Sequence, residues 1–561
     1  MEILGLHYSI WIVLGLYFGG MLLMGWRSKH GIKNQEGYLL GNRRFGWPMM
    51  VMHAFGAGTH PGNVAGVMSQ GVVSGASSIW VSWMWLFGTP FYWIIAPIVR
   101  RMRCLTMADF FRERFGRVAS VLYIVVAALG MIVFLAGVLL ATTRTVQGVM
   151  GKAATTDSEM WFFGILFVST AVFIVYSYWG GIIAAIRTDM IQGLMIIVLS
   201  FIAIPVALKL PEVDGLAGMR ATLGAHGANY LSLFDPSNPK GFKISTVLLL
   251  CINAPLTALA FPHLMSVCAA GKTEWEGRVG FTYGNILKRV CTIGWCVLGL
   301  CWLAYLINSG SEIHKDAAFG DSIRTLFSAP LQALQGVMLA CVMAAAMSSG
   351  DAVQVTVAGL FSQNIYRAYV NPKADEKRLV GATRIIGIFI ALSALVAAIL
   401  MRSNLVKAIL DYFNILSLVG ISTAMGILWR RMNTTGMICS TGAAVFTFIM
   451  TRYVIEYTSS IRAITIGLPI LTGVLGGVVG SLMTRPPKPE IIEKFFTKIY
   501  VPIGQEDKLA LPLDEVVPES KRWFTAGGLF VVKPSRQSWV GFLITLGICL
   551  ACVLVMLAIL R

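Results

Sequence analysis

The chain has 561 residues, of which 56% are hydrophobic and 13% charged. That profile excludes an ordinary soluble domain and indicates a polytopic membrane protein. The net charge of +18 would suit nucleic acid in a soluble protein, but the basic residues fall in alternate loops between apolar runs, so the expected partner is a lipid bilayer and no nucleic acid.

About fourteen spans of bilayer length are expected, which makes the fold class all-α. The first runs over about 5–26. Glu2 and His7 stand where a cleavable signal would carry its basic region, so none is expected. An interrupted span follows at about 46–75, then 77–99, 117–150, 159–181 and 186–208. The second half gives about 243–270, 280–309, 329–367, 379–401 and 404–429, and three more lie at about 433–455, 461–483 and 537–560. The ten cysteines fall mostly within apolar runs and read as small buried hydrophobes.

Loop charge sets the orientation. Arg27, Lys29, Lys33, Arg43 and Arg44 follow the first span, and Arg100 to Arg117 follow the third. Lys272 to Arg289, Arg367 to Arg384, and Arg430–Arg431 continue the alternation, while 151–158 and 311–328 are nearly neutral. The basic side is cytoplasmic, which places both termini outside. The linker 484–536 is then cytoplasmic, with Ile491–Tyr500 as an amphipathic helix lying on the membrane surface.

Two spans carry breaks. The first is Phe55-Gly56-Ala57-Gly58-Thr59-His60-Pro61-Gly62-Asn63, where three glycines and a proline prevent a regular helix. The second is Asn253 to His263, with Pro255 and Pro262. Each break opens a set of five spans, and an odd number per repeat inverts the second copy. Interrupted helices at matching positions of inverted halves point to a transporter's binding site, against the plainer reading of two ordinary proline kinks. The expected organisation is a first helix and loop (1–45), a first five-helix repeat (46–208), an extracellular loop (209–242), a second, inverted repeat (243–429), two accessory helices (430–483), the linker (484–536) and a last helix (537–561).

Within 329–367, helical spacing puts Ala345, Ser348 and Ser349 on one face. Two hydroxyls beside a small residue suit a bare, hard cation, and equally suit close helix packing.

Three stretches together resemble the sodium:solute symporter family, which holds sodium/glucose, sodium/proline and sodium/sialic-acid transporters. Tyr176 to Gln192 resembles its signature of a Tyr, a Gly-Gly pair, then Thr-Asp and Ile-Gln. Ala345 to Tyr366 resembles its ion motif, and Gly58 to Gly71 its first broken helix. The resemblance implies an inverted five-plus-five fold like that of neurotransmitter:sodium symporters, with sodium as coupling ion. It implies a sodium site of backbone carbonyls of Gly58, Pro61 and Ala345 with hydroxyls of Ser348 and Ser349. It places Asp189 near the ion's inner exit or in a second sodium site; a helix cap at Thr188 or Asp189 is the local alternative. Family members with a second sodium usually carry hydroxyls where this chain has Asp351 and Ala352, so Asp351 is expected to add charge to the bound ion or to carry a proton.

Thr59, His60 and Asn63 from the first break, and Asn253, Phe261 and His263 from the second, are the solute-site candidates, with Trp83, Trp85, Phe91, Tyr92 and Trp93 as an aromatic wall. The expected function is sodium-coupled symport of a small polar organic solute. The alternatives are proton coupling through His60, Asp189 or Asp351 on the same fold, and a solute-sensing module. No catalytic constellation marks an enzyme.

Overall fold

The computed structural model describes residues 2–3, 5–28, 34–226, 229–234, 241–454 and 462–561. Lys29 and Lys33 of the first basic loop lie outside the described residues, as do the side chains of Arg27, Tyr176, Ser177, Trp179 and Ile182. Helix α1 spans Tyr8–Ser28 and α2 spans Gln35–Leu40. The first interrupted span is α3 (Trp47–Gly58) and α4 (Pro61–Ser74). Next come α5 (Trp80–Trp83), α6 (Thr89–Arg101), α7 (Met107–Phe115) and α8 (Arg117–Val149).

Helix α9 runs unbroken over Ser158–Phe201, where two spans were expected. Its 44 residues measure about 66 Å, roughly twice the apolar thickness of a bilayer. Two apolar segments of membrane length, Ser158–Val175 and Ala185–Leu208, flank its middle. The short α10 (Ile204–Leu208) and α11 (Gly215–Ala225) follow. The second interrupted span is α12 (Ile244–Ala260) and α13 (Leu264–Ala269). Then come α14 (Glu274–Ser309), α15 (Ala318–Leu326), α16 (Gln332–Phe361), α17 (Glu376–Leu400) and α18 (Leu405–Leu428). The chain ends with α19 (Thr434–Ile449), α20 (Arg462–Leu482), α21 (Pro489–Tyr500), α22 (Leu513–Val516) and α23 (Arg536–Leu560).

Eleven helices among the described residues are long and apolar enough to cross a membrane, and Tyr8–Met24 and Ile244–Ala260 are shorter apolar ones.

Both breaks have the same local cause. His60 precedes Pro61 and is extended at φ −111°, ψ 163°; Phe261 precedes Pro262 and is extended at φ −60°, ψ 124°. A proline ring forces the residue before it out of the helical region. Pro61 then starts α4, where its missing N–H costs nothing. Pro255 does not break α12, which continues to Ala260.

Helix α3 lies against α14. A Cβ at Gly280 would stand 2.7 Å from that of Met50, and one at Gly284 would stand 2.6 Å from the Val51 carbonyl. Four-residue spacing extends this stripe to Lys288, so Lys288 faces the end of α3. Lys288 and Arg289 are buried in α14, about 21 Å along the axis from Glu274. They are not part of the basic loop with which the sequence reading grouped them.

On one face, Asp316 accepts the Ser69 hydroxyl of α4 (2.6 Å) and the Leu405 N–H of α18 (3.3 Å). On the other, the linker packs beneath the basic loops. Arg103 donates to carbonyls of Lys498, Val501 and Pro502, and Lys498 pairs with Glu113. Ile492, Phe495, Phe496 and Ile499 of α21 are buried against protein. The apolar face expected to lie on lipid is covered by the chain itself.

Candidate ion and solute site

The Ser348 hydroxyl donates to Asp189, from α9. The Ser349 hydroxyl donates to the Gly56 carbonyl of α3 at 2.9 Å. His53, one turn before Gly56, holds the other Asp189 oxygen at 2.6 Å, and both side chains are fully buried. Gly56 is needed here, because a Cβ would meet the Ser348 Oγ at 2.3 Å and Asp189 at 3.3 Å. Three helices thus bring two hydroxyls, a carboxylate and a carbonyl to one buried point. Oxygen donors of this kind suit a monovalent hard cation.

Asp189 lies inside α9, so it caps no helix, and the Thr188 hydroxyl turns to the Ala185 carbonyl (3.0 Å). Ala345 is buried on the same face of α16 as the two serines. The Gly58 carbonyl accepts the ammonium of Lys288. Pro61 is buried at the start of α4. Asp351 is buried one turn beyond Ser348 on α16.

The two breaks meet at a cavity of about 40 Å³. Phe261 and His263 line it, with Gly58, Lys288, Arg289 and Asn285. Of the expected aromatic wall, Trp85 and Tyr92 line it. Trp83 is buried with its N–H on the Arg289 carbonyl (2.9 Å), Phe91 is 44% exposed, and Trp93 bonds the Gln537 carbonyl (3.1 Å).

His60 is not in the lining. It packs edge-on against Phe134 and Tyr412, which are, with ring centroids 4.7 and 6.1 Å away. Asn63 accepts the His60 N–H at 3.0 Å, closing the start of α4. Asn253 donates to Asn414 at 3.3 Å. Buried polar atoms without a partner among the described residues include, at these positions, the Thr59 hydroxyl, both His60 ring nitrogens, the Asn253 carbonyl oxygen and the His263 Nδ1. Such groups are costly unless water or ligand meets them.

Sequence reasoning missed His53, Gly56, Lys288 and Arg289. The signal for Lys288 was its four-residue spacing from Gly280 and Gly284 inside an apolar run.

The sequence profile of the sodium:solute symporter family matches residues 38–442. The osmoregulated proline transporter OpuE of Bacillus subtilis is 27% identical over 501 residues, covering 85% of this chain and 96% of its own. The sodium/glucose cotransporter of Vibrio parahaemolyticus is 23% identical, over 79% of this chain and 84% of its own. Among solved structures, a Na+-coupled sialic acid symporter in a substrate-bound outward-open state matches with a TM-score of 0.71 at 17% identity, across 86% of this chain and 99% of that one. A nucleobase-cation-symport-1 family transporter, Mhp1, in a closed conformation matches at 0.51 and 13% identity, across 83% and 99%. These structures share the fold, and the profile covers most of the chain. The chain belongs to the sodium:solute symporter family, integral membrane transporters that couple sodium to the movement of a small solute.

Proposed function

We propose that this symporter carries a small polar organic solute inward by alternating access, with its sodium held at Ser348, Ser349 and Asp189. The observation that supports this reading is the meeting of those three side chains with the Gly56 carbonyl at one buried point. Carbonyls of Gly58, Pro61 and Ala345 complete the oxygen set, and Asp351 stands one turn away, where it adds charge to the bound ion. The solute sits at the two breaks, where freed carbonyls and unpartnered polar atoms collect. Relatives named for proline and glucose set its size. The architecture is fourteen helices with inverted five-helix repeats at 46–208 and 243–429, and both termini face outside. The linker 484–536 then lies in the cytoplasm, where it packs against the basic loops.

Apart from Asp189, the oxygens of this set are hydroxyls and carbonyls, which do not titrate near neutral pH and so favour sodium over a proton. A thermal-shift screen of small solutes with and without sodium identifies the cargo. Its uptake into proteoliposomes should follow a sodium gradient with the pH gradient collapsed. Uptake driven by the pH gradient alone, and lost in Asp351→Asn, would overturn the sodium assignment.

A further inference from the structure

The cavity at the two breaks is lined by two cationic side chains and, among the described residues, by no aspartate or glutamate. Arg289 is committed to the wall: it donates to the Thr89 hydroxyl and the Ser82 carbonyl, each at 3.2 Å. Lys288 is different. It is 5% exposed, and the hydrogen bond its ammonium makes among the described residues goes to the Gly58 carbonyl, at the tip of the first broken helix. One neutral carbonyl replaces the lost hydration of an ammonium poorly, and a buried cation is stable when an anion meets it.

We propose that the solute is an organic monoanion whose carboxylate is held by Lys288, in the cavity lined by α3, α14 and the break between α12 and α13. This rests on the sodium-symport reading above. The lining chooses among solute classes. A zwitterion brings an ammonium of its own, and among the described residues no carboxylate lines the cavity to receive it. A phosphate needs several donors around its oxygens, whereas the Arg289 guanidinium is tied to the wall and the Lys288 ammonium is the cation that can turn to a ligand. A sugar needs a ring of donors and acceptors, whereas Trp85, Phe134, Phe261 and Phe281 make much of this wall apolar. A short hydrocarbon body with one carboxylate matches both parts. The present volume of about 40 Å³ holds one or two waters, so the cavity widens to admit its ligand.

The position of Lys288 also links solute to ion. Its ammonium occupies the Gly58 carbonyl, which the sodium set proposed above includes, and two cations at one carbonyl repel. A bound carboxylate neutralises the ammonium and draws it off Gly58. Sodium then binds more tightly, and by reciprocity so does the solute.

The test is thermal stabilisation of the purified full-length protein, in sodium, by propionate, lactate and pyruvate. Each is compared with its own amide, and proline serves as the zwitterion. At least one carboxylate should act at a tenfold or lower concentration than its amide. Lys288→Gln should erase that preference, and Lys288→Arg should keep part of it. The bound carboxylate should lower the sodium needed for half-saturation about tenfold in the wild type and not in Lys288→Gln. Equal responses within every pair, including none at all, overturn the proposal, as does proline binding tenfold more tightly than any carboxylate. The amide comparison uses the wild type, so it stands even where a variant fails to fold. Carboxylate uptake driven only by a pH gradient would remove the sodium reading and leave this one intact, and sodium-driven uptake of a neutral solute would do the reverse.

Discussion

Two buried cations in this membrane protein are held in opposite ways. Arg452, in the turn after α19, meets Asp411 of α18 with two parallel hydrogen bonds of 3.0 Å each. Lys288, in α14, meets a backbone carbonyl. The first pair cancels its own charge and ties two helices together. The second leaves a positive charge facing a cavity. The Arg452–Asp411 pair therefore serves structure, while the Lys288 ammonium is the cation that we propose a ligand's anion meets.

The largest effect comes from breaking the paired site. Asp411→Asn leaves the Arg452 guanidinium buried without its anion and should cost about 3–5 kcal/mol of stability, read by denaturant unfolding in micelles. Lys288→Met removes a cation that meets no carboxylate among the described residues, so it should leave stability unchanged or higher while abolishing solute binding. Equal destabilisation by both substitutions would erase the distinction between the two sites.

The smallest effect concerns an exposed contact on the linker. The Gly504 N–H and the Arg103 guanidinium hold the Glu506 carboxyl below the usual carboxylate range. A carboxylate with a lowered folded pKa keeps its contact above its unfolded value and loses it as pH falls through the folded one. A nitroxide on Lys508→Cys should thus keep its mobility from pH 8 down to about pH 4 and gain mobility only below that. Mobility rising near pH 6 would show that the contact does not hold this end of the linker.

Much of this molecule is legible in its sequence, for physical reasons that also show where reading stops. Pre-proline sterics at His60 and Phe261 act locally, so both breaks can be found from the chain alone. The pairing of Ser348 with Ser349 on one helix face is equally local. The partners of those hydroxyls are not: Asp189 stands 159 positions away from Ser348 in the chain, and Gly56 stands 293 away from Ser349. The family resemblance, and not periodicity, pointed to Asp189. Lys288 and Arg289 were grouped with a basic loop because a charge count over a window does not see which turn of a helix a lysine occupies. The amphipathic pattern of α21 told that one face is covered, while a hydrophobic face is covered equally well by lipid or by protein. The covering here is protein, including the phenyl ring of Phe110 packed 5.5 Å from that of Phe495.

On the proposed reading, sodium binds where α16, α9 and α3 meet. Equilibrium binding of radiolabelled sodium to the purified protein, without solute, tests it most directly. Wild-type protein should bind sodium saturably, and Ser348→Ala and Ser349→Ala should each weaken that binding about tenfold, the effect of roughly one lost charge-assisted contact of about 1.4 kcal/mol. Asp189→Asn should weaken it further. Unchanged sodium binding in all three variants, each correctly folded, would contradict the claim and place the ion elsewhere in the transporter.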